Sequence, residues 1–253
     1  MNRFRFRSIA LGLIAAPLAL GLAACGEKKD EGAAPASSEP IASIAAPAGK
    51  SWKDVVEKTS EGGYRLGNPE APIKLIEFGA LSCSHCAEFA KESFADLRDD
   101  YVASGRVSYE LRYFMLNPYD IPASLLATCS STEAAIPLSE QFWAWQPNMF
   151  QNVQALGEDQ LKAISAMPPQ QQIPAVAQAA GMIDFFASRG ISRDQANACL
   201  ADTAKAKALA DQTEAASKQF NITGTPTFVL NGSNIGSMGW KDLETKLQQA
   251  GAR

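Results

Sequence analysis

One histidine and five cysteines are all that the 253 residues of this chain offer as imidazole or thiolate metal ligands. The histidine, His85, stands inside Cys83-Ser84-His85-Cys86, and no second Cys-x-x-Cys completes the four ligands that zinc wants. Haem attachment needs a histidine directly after the second cysteine, and Ala87 stands there. No metal site and no cofactor is therefore expected. Runs of lysine and arginine are also missing, which leaves nucleic-acid binding without support. No apolar stretch reaches the roughly 20 residues of a comfortable membrane span. Residues 26–50 have no aromatic residue and are rich in Ala, Pro, Ser, Glu and Lys, so they cannot bury enough surface to fold.

What is present at the start is an export signal. Arg3, Arg5 and Arg7 form a basic region, Ile9 to Leu20 an apolar core, and Leu22-Ala23-Ala24-Cys25 closes it with small residues. This ending resembles a bacterial lipobox, which implies cleavage before Cys25 and lipidation of that residue. Residues 1–24 hold three arginines and no acid, so their removal takes the formal net charge from −4 to −7. Residues 25–60 are then expected to be a lipid-anchored tether reaching on the order of 30 Å. Gly26 after the lipidated cysteine resembles the Gram-negative pattern for the outer rather than the inner membrane. An exported chain meets an oxidising compartment, where disulfides persist. With Cys25 lipidated and Cys83 and Cys86 in the motif, Cys129 and Cys199 remain as a pair. The alternative is two buried free thiols acting as small apolar residues.

The Cys-x-x-Cys carries the chemistry. It follows the apolar run Ile73 to Leu81 and opens a stretch in which Ala90, Phe94, Leu97 and Tyr101 recur with helical period. Two thiols at i and i+3 on a first helical turn can close a small disulfide ring. The helix N-terminus supplies N–H groups and partial positive charge that stabilise a thiolate on Cys83. Val107 to Met115 alternates and reads as a strand, which makes Ile73–Phe78, the helix and this strand a βαβ unit. From Pro118 to Ala216 the sequence suggests only helices: Leu138–Val153, Gly157–Ala166, Pro174–Ser188, and Arg193–Phe220 with a break. Thr225–Leu230 reads as a strand, Asn231-Gly232 as a hairpin turn, and Ser233–Ser237 as a returning strand. Trp240, Leu243 and Leu247 mark a last helix. Phe142, Trp143 and Trp145 read as core aromatics in preference to a peptide-binding surface.

This order of elements resembles the thioredoxin superfamily, and specifically its DsbA-like branch. Leu75-Ile76-Glu77-Phe78 before Cys83-Ser84-His85-Cys86 is similar to the branch's strand-to-active-site segment, with Ser84 where proline is common. Thr225-Pro226 is similar to the superfamily's cis-proline dipeptide. The resemblance implies an α/β thioredoxin fold with a helical domain inserted between the second strand and the cis-proline strand. The expected boundaries are 61–117 and 217–253 for the thioredoxin-like domain and 118–216 for the insertion. It implies that Cys83 is an exposed nucleophile, Cys86 a buried resolving thiol, and His85 a partner of the Cys83 thiolate. Thr225 and Pro226 would bind substrate, and Glu77 would aid proton transfer beneath the site.

The expected activity is protein dithiol–disulfide exchange, with cysteine-containing exported proteins as substrates and a redox partner for recycling. The setting is periplasmic, on a membrane through the lipid. Histidine beside the second cysteine favours an oxidase, while Thr225 before the proline resembles isomerases and reductases. Residues 26–63 are too short and polar for a dimerisation domain, which favours a monomer. A Cu(I)-binding thiol protein is the non-enzymatic alternative.

Overall fold

The computed structural model describes residues 39–253. The signal segment, Cys25 and the first part of the expected tether lie outside the described residues.

A six-stranded sheet in the order β1-β2-β4-β3-β5-β6 organises the chain. Its strands are β1 (Val56–Lys58), β2 (Tyr64–Gly67), β3 (Ile73–Gly79), β4 (Val107–Tyr113), β5 (Thr227–Leu230) and β6 (Ser233–Gly236). Only β3 and β4 run parallel, because a helix connects them; the other pairs are antiparallel. That helix is α1 (Ser84–Asp96), continued by a π-helical segment over Leu97–Val102. Asn231, at φ 49°, and Gly232, at φ 84°, turn the β5–β6 hairpin.

Alternation along the strands distributes the core. Ile73, Leu75 and Glu77 of β3 share one face with Val107, Tyr109 and Leu111 of β4, and all six are buried. There Phe89 of α1 packs on Phe228 at 4.6 Å between ring centroids and on Trp240 at 6.5 Å. Trp240 opens α9 (Trp240–Gln249). On the opposite face Phe78, Ala216, Ile222 and Val229 form a smaller cluster.

Between β4 and β5 lie seven α-helices: α2 (Asp120–Ala127), α3 (Ala135–Ala155), α4 (Glu158–Ser165), α5 (Pro169–Ala179), α6 (Met182–Ala187), α7 (Arg193–Leu200) and α8 (Thr203–Phe220). This is the helical insertion of a thioredoxin-like α/β fold. Two details differ from the sequence reading. The expected helix 174–188 is two, parted at Gly181, whose φ of 75° a helix interior does not allow. The break expected within 193–220 falls where Asp202 caps α8 by accepting the Lys205 N–H. The insertion also starts with α2, which was not foreseen, and Phe142 and Trp143 are buried in its core.

The tether expected over 25–60 does not extend that far. The Ile41 N–H donates to Gly251 O at 2.9 Å and the Ile44 N–H to Ser104 O at 2.8 Å. Trp52 Nε1 donates to Ile44 O at 2.8 Å, and β1 pairs with β2. Ile41 and Trp52, both half-buried, supply the apolar contact that holds this segment down, while Ile44 stays exposed and is held through its backbone N–H and carbonyl.

Candidate active site

Cys83 occupies the N-cap of α1 in extended backbone, φ −80° and ψ 119°. Its sulfur does the work of a capping side chain, accepting the Cys86 N–H at 3.2 Å. The same thiol donates to the Thr225 carbonyl oxygen, also at 3.2 Å, so the Thr225-Pro226 loop lies against the Cys83 sulfur. The Thr225-Pro226 bond is cis. Both thiols are free. Cys83 was expected to be exposed, yet it is only 7% exposed, because this loop and the start of α1 cover it.

The two thiols are displaced in opposite directions. Cys83 is drawn down to about 6, first by its hydrogen bond with the Cys86 thiol, then by Thr225 and the N–H groups of Cys86 and His85, against the opposing effect of burial. Burial pushes Cys86 well above the ordinary thiol range, and Cys83 and Glu77 add to that. A negative charge left on this pair therefore rests on Cys83, and Cys86 keeps its proton.

His85 does not occupy the expected place. Its imidazole is 80% exposed, with Nδ1 3.7 Å from a Glu88 carboxylate oxygen. It is the backbone N–H of His85 that acts on Cys83. Ser84 is exposed on the first turn of α1. Glu77 is 1% exposed beneath the site, and burial raises its carboxyl to about 8. The Tyr109 hydroxyl donates to Glu77 Oε2 at 2.7 Å. A groove of about 350 Å³ flanks the cis-proline, floored by Phe89 and Met238 and edged by His85, Glu88 and Glu92.

A family model described as Thioredoxin matches residues 59–249. The chain belongs to the thioredoxin family. Its fold is that of the DsbA-like branch. A crystal structure of protein-disulfide isomerase from Novosphingobium aromaticivorans is 30% identical with a TM-score of 0.70, covering 74% of this chain and 95% of that one. Alpha-DsbA1 of Wolbachia pipientis, 20% identical, shares the fold at a TM-score of 0.54 over 74% of this chain and 89% of that one. A Rickettsia conorii protein provisionally named a protein-disulfide oxidoreductase is 23% identical over 78% of this chain. The chain spans 63% of that relative's length.

Within this thioredoxin fold, side chains that the sequence reading missed hold the active-site turn. Asp120, fully buried at the start of α2, accepts the Ser82 N–H at 2.8 Å and the Ser82 hydroxyl at 3.0 Å. It also accepts the N–H groups of Leu116 and Asn117, at 2.9 and 3.0 Å. From α3, Trp143 Nε1 donates to Ala80 O at 2.9 Å, and Gln146 Nε2 donates to Leu81 O and Cys83 O at 2.7 and 3.1 Å. The insertion thus supplies donors to three carbonyls of the turn and an acceptor to its N–H. Its only sequence signal is polar residues at buried helix positions, Asp120 and Gln146, which need partners to be tolerated. Farther off, Cys129 and Cys199 are bonded, with Cα atoms 5.9 Å apart.

Proposed function

We propose that the protein is an exported, lipid-anchored thiol–disulfide oxidoreductase that acts as an oxidase on cysteine-containing exported proteins. The observation that carries the reading is the opposite displacement of the two thiols at a helix N-terminus, beside a cis-proline loop. A substrate thiolate attacks Cys83 Sγ of the oxidised motif. The Cys83–Cys86 bond breaks, and Cys86 leaves as a thiolate that takes a proton. Glu77, at about 8, still holds its proton near neutrality and can give it to a thiolate of higher affinity. A second substrate thiolate then attacks the substrate sulfur of the mixed disulfide, and Cys83 departs as a stable thiolate. The substrate is oxidised by two electrons, the motif is reduced, and a redox partner must reoxidise it. Stabilising the Cys83 thiolate favours the reduced motif, so the disulfide is a strong oxidant.

Equilibration with glutathione tests this. The expected Cys83–Cys86 potential lies nearer −120 mV than −270 mV, the values of strong oxidants and reductants respectively. A value near −270 mV would reject the oxidase. Isomerisation is the second reading, favoured by Thr225 before the cis-proline and by the printed name of the Novosphingobium structure. Faster recovery of activity by a scrambled-disulfide substrate than by a reduced one would decide for it. Anchoring is supported by Arg3, Arg5, Arg7 and the Leu-Ala-Ala-Cys25 ending. Cys25→Ser is expected to abolish lipid labelling and detergent partitioning in cells, and continued partitioning would remove the anchor from the proposal.

A further inference from the structure

We infer that Tyr109 is a positioning residue of the exchange reaction: its hydroxyl fixes which oxygen of the Glu77 carboxyl is left free to trade a proton with the resolving thiol. The inference rests on the oxidoreductase reading above. Tyr109 is 1% exposed on the face of β4 that lies under α1. The β3–β4 register pairs Leu75 with Tyr109 and Glu77 with Leu111, so Tyr109 reaches Glu77 diagonally across the sheet. Its hydroxyl occupies Oε2, and the buried Oε1 has no hydrogen-bond partner.

An unpartnered carboxyl oxygen in an apolar interior is costly, so an arrangement that keeps one needs a physical reason. The groups around the pair supply it. Cys83 and Cys86 face it from α1, and Glu140 on α3 acts on Tyr109. The nearby indole of Trp143 is already committed to Ala80 O. Phe228 of β5 is the register partner on the other side. Among the described residues no lysine or arginine contributes to the state of Glu77. A cation would hold the carboxylate ionised, whereas a phenol holds the carboxyl in place and leaves it its proton. Burial and the neighbouring Glu77 push the Tyr109 hydroxyl well above its ordinary range, so it remains a donor at working pH. With Oε2 accepting from Tyr109, the acid proton belongs on Oε1, the one oxygen free to exchange it.

The test is Tyr109→Phe, which keeps the ring and removes the hydroxyl, compared with Glu77→Gln and the double variant. Single-turnover exchange with a dithiol peptide is followed against pH, and the Cys83 thiolate is followed by its ultraviolet absorbance. In Tyr109→Phe, the midpoint that Glu77→Gln abolishes is expected to move to higher pH, because the bond that lowers Glu77 is gone. The rate at neutral pH is expected to fall about tenfold. The Cys83 titration stays in place, and the double variant behaves as Glu77→Gln alone. An unmoved midpoint, or an equal loss of rate in the Glu77→Gln background, would overturn the inference. If Tyr109→Phe does not fold, the infrared C=O stretch of the protonated Glu77 carboxyl, assigned by its absence in Glu77→Gln, decides in wild-type protein, because a hydrogen bond accepted by that oxygen lowers its frequency. A band at the frequency of a hydrogen-bonded carboxyl C=O supports the pair, and one at the frequency of a free C=O, or no such band at neutral pH, overturns it. Wild-type protein without any exchange would overturn the oxidoreductase reading together with this one, whereas normal exchange with an unmoved midpoint overturns this one alone.

Discussion

The Cys83 sulfur both caps a helix and is the proposed nucleophile, so the contacts that set its ionisation can be removed one at a time. Thr225→Val keeps the volume of the side chain and removes a buried hydroxyl that makes no hydrogen bond of normal geometry but lies close enough to the Cys83 sulfur to draw its thiol down. It is expected to raise the midpoint of thiolate absorbance from about 6 and to make the disulfide less oxidising. His85→Ala keeps the backbone N–H and removes only an exposed ring facing Glu88, so its effect is expected to be smaller than that of Thr225→Val. The reverse ranking would return the imidazole to the role the sequence suggested. Glu77 gives a stability test with a definite sign. Its carboxyl is raised from 4.5 to about 8 on folding, so between these values the unfolded chain has lost the proton and the folded one holds it. The contribution is complete below pH 4.5 and is lost as pH rises through about 8. Cys83, drawn down to about 6, acts in the opposite sense above that pH in the reduced protein. Glu77→Gln is therefore expected to gain stability relative to wild type as pH rises from 4.5 to 8, with no further gain above, in paired denaturant titrations of the reduced forms. A constant difference would mean that Glu77 is already ionised in the fold.

At the scale of elements, the active-site turn belongs as much to the insertion as to the sheet. Asp120 binds three backbone N–H groups and one hydroxyl from two separate loops. Asp120→Ala strands those donors in a buried place and is expected to cost about 3 kcal/mol. Denaturant unfolding reads the loss, and a cost under about 0.5 kcal/mol would show the loops to be held without it. Such ties were not legible in the sequence, because their meaning lies in partners 38 residues away for Ser82 and Asp120, and 63 for Cys83 and Gln146. What was legible is local. Cys83-x-x-Cys86 before a 3.6-period face, and Asn231-Gly232 after an apolar run, state their own geometry. β1 and β2 escaped notice because they have three and four residues, too few for alternation to declare itself. The two prolines inside α3 and α5, at 147 and 174, likewise blurred where those helices run.

At the scale of the whole molecule, the insertion must be rigid enough to hold the turn yet separate from the disulfide that exchanges. Cys129 follows α2, the helix that carries Asp120, and Cys199 lies in α7. The Cys129–Cys199 bond spans 70 positions of sequence and ties both ends of the insertion to one point. Lys205 Nζ donates to Thr128 O and Gln195 Nε2 to Cys129 O, at 2.9 and 2.8 Å, so the joint is also hydrogen-bonded. Closing a loop of this size is worth about 4 kcal/mol in the chain-entropy view. Cys129→Ala/Cys199→Ala is therefore expected to lower the unfolding free energy by about that amount. The Cys83 thiolate midpoint is expected to stay at about 6, because no atom of this pair is among the groups that set it. Alkylation of unreduced, unfolded wild-type protein followed by mass spectrometry is expected to leave both cysteines unlabelled. Labelling of both would mean that packing alone holds the insertion. A thiolate midpoint that moves in the double variant would show that the bond also tensions α2 and, through Asp120 and Ser82, the turn that presents Cys83.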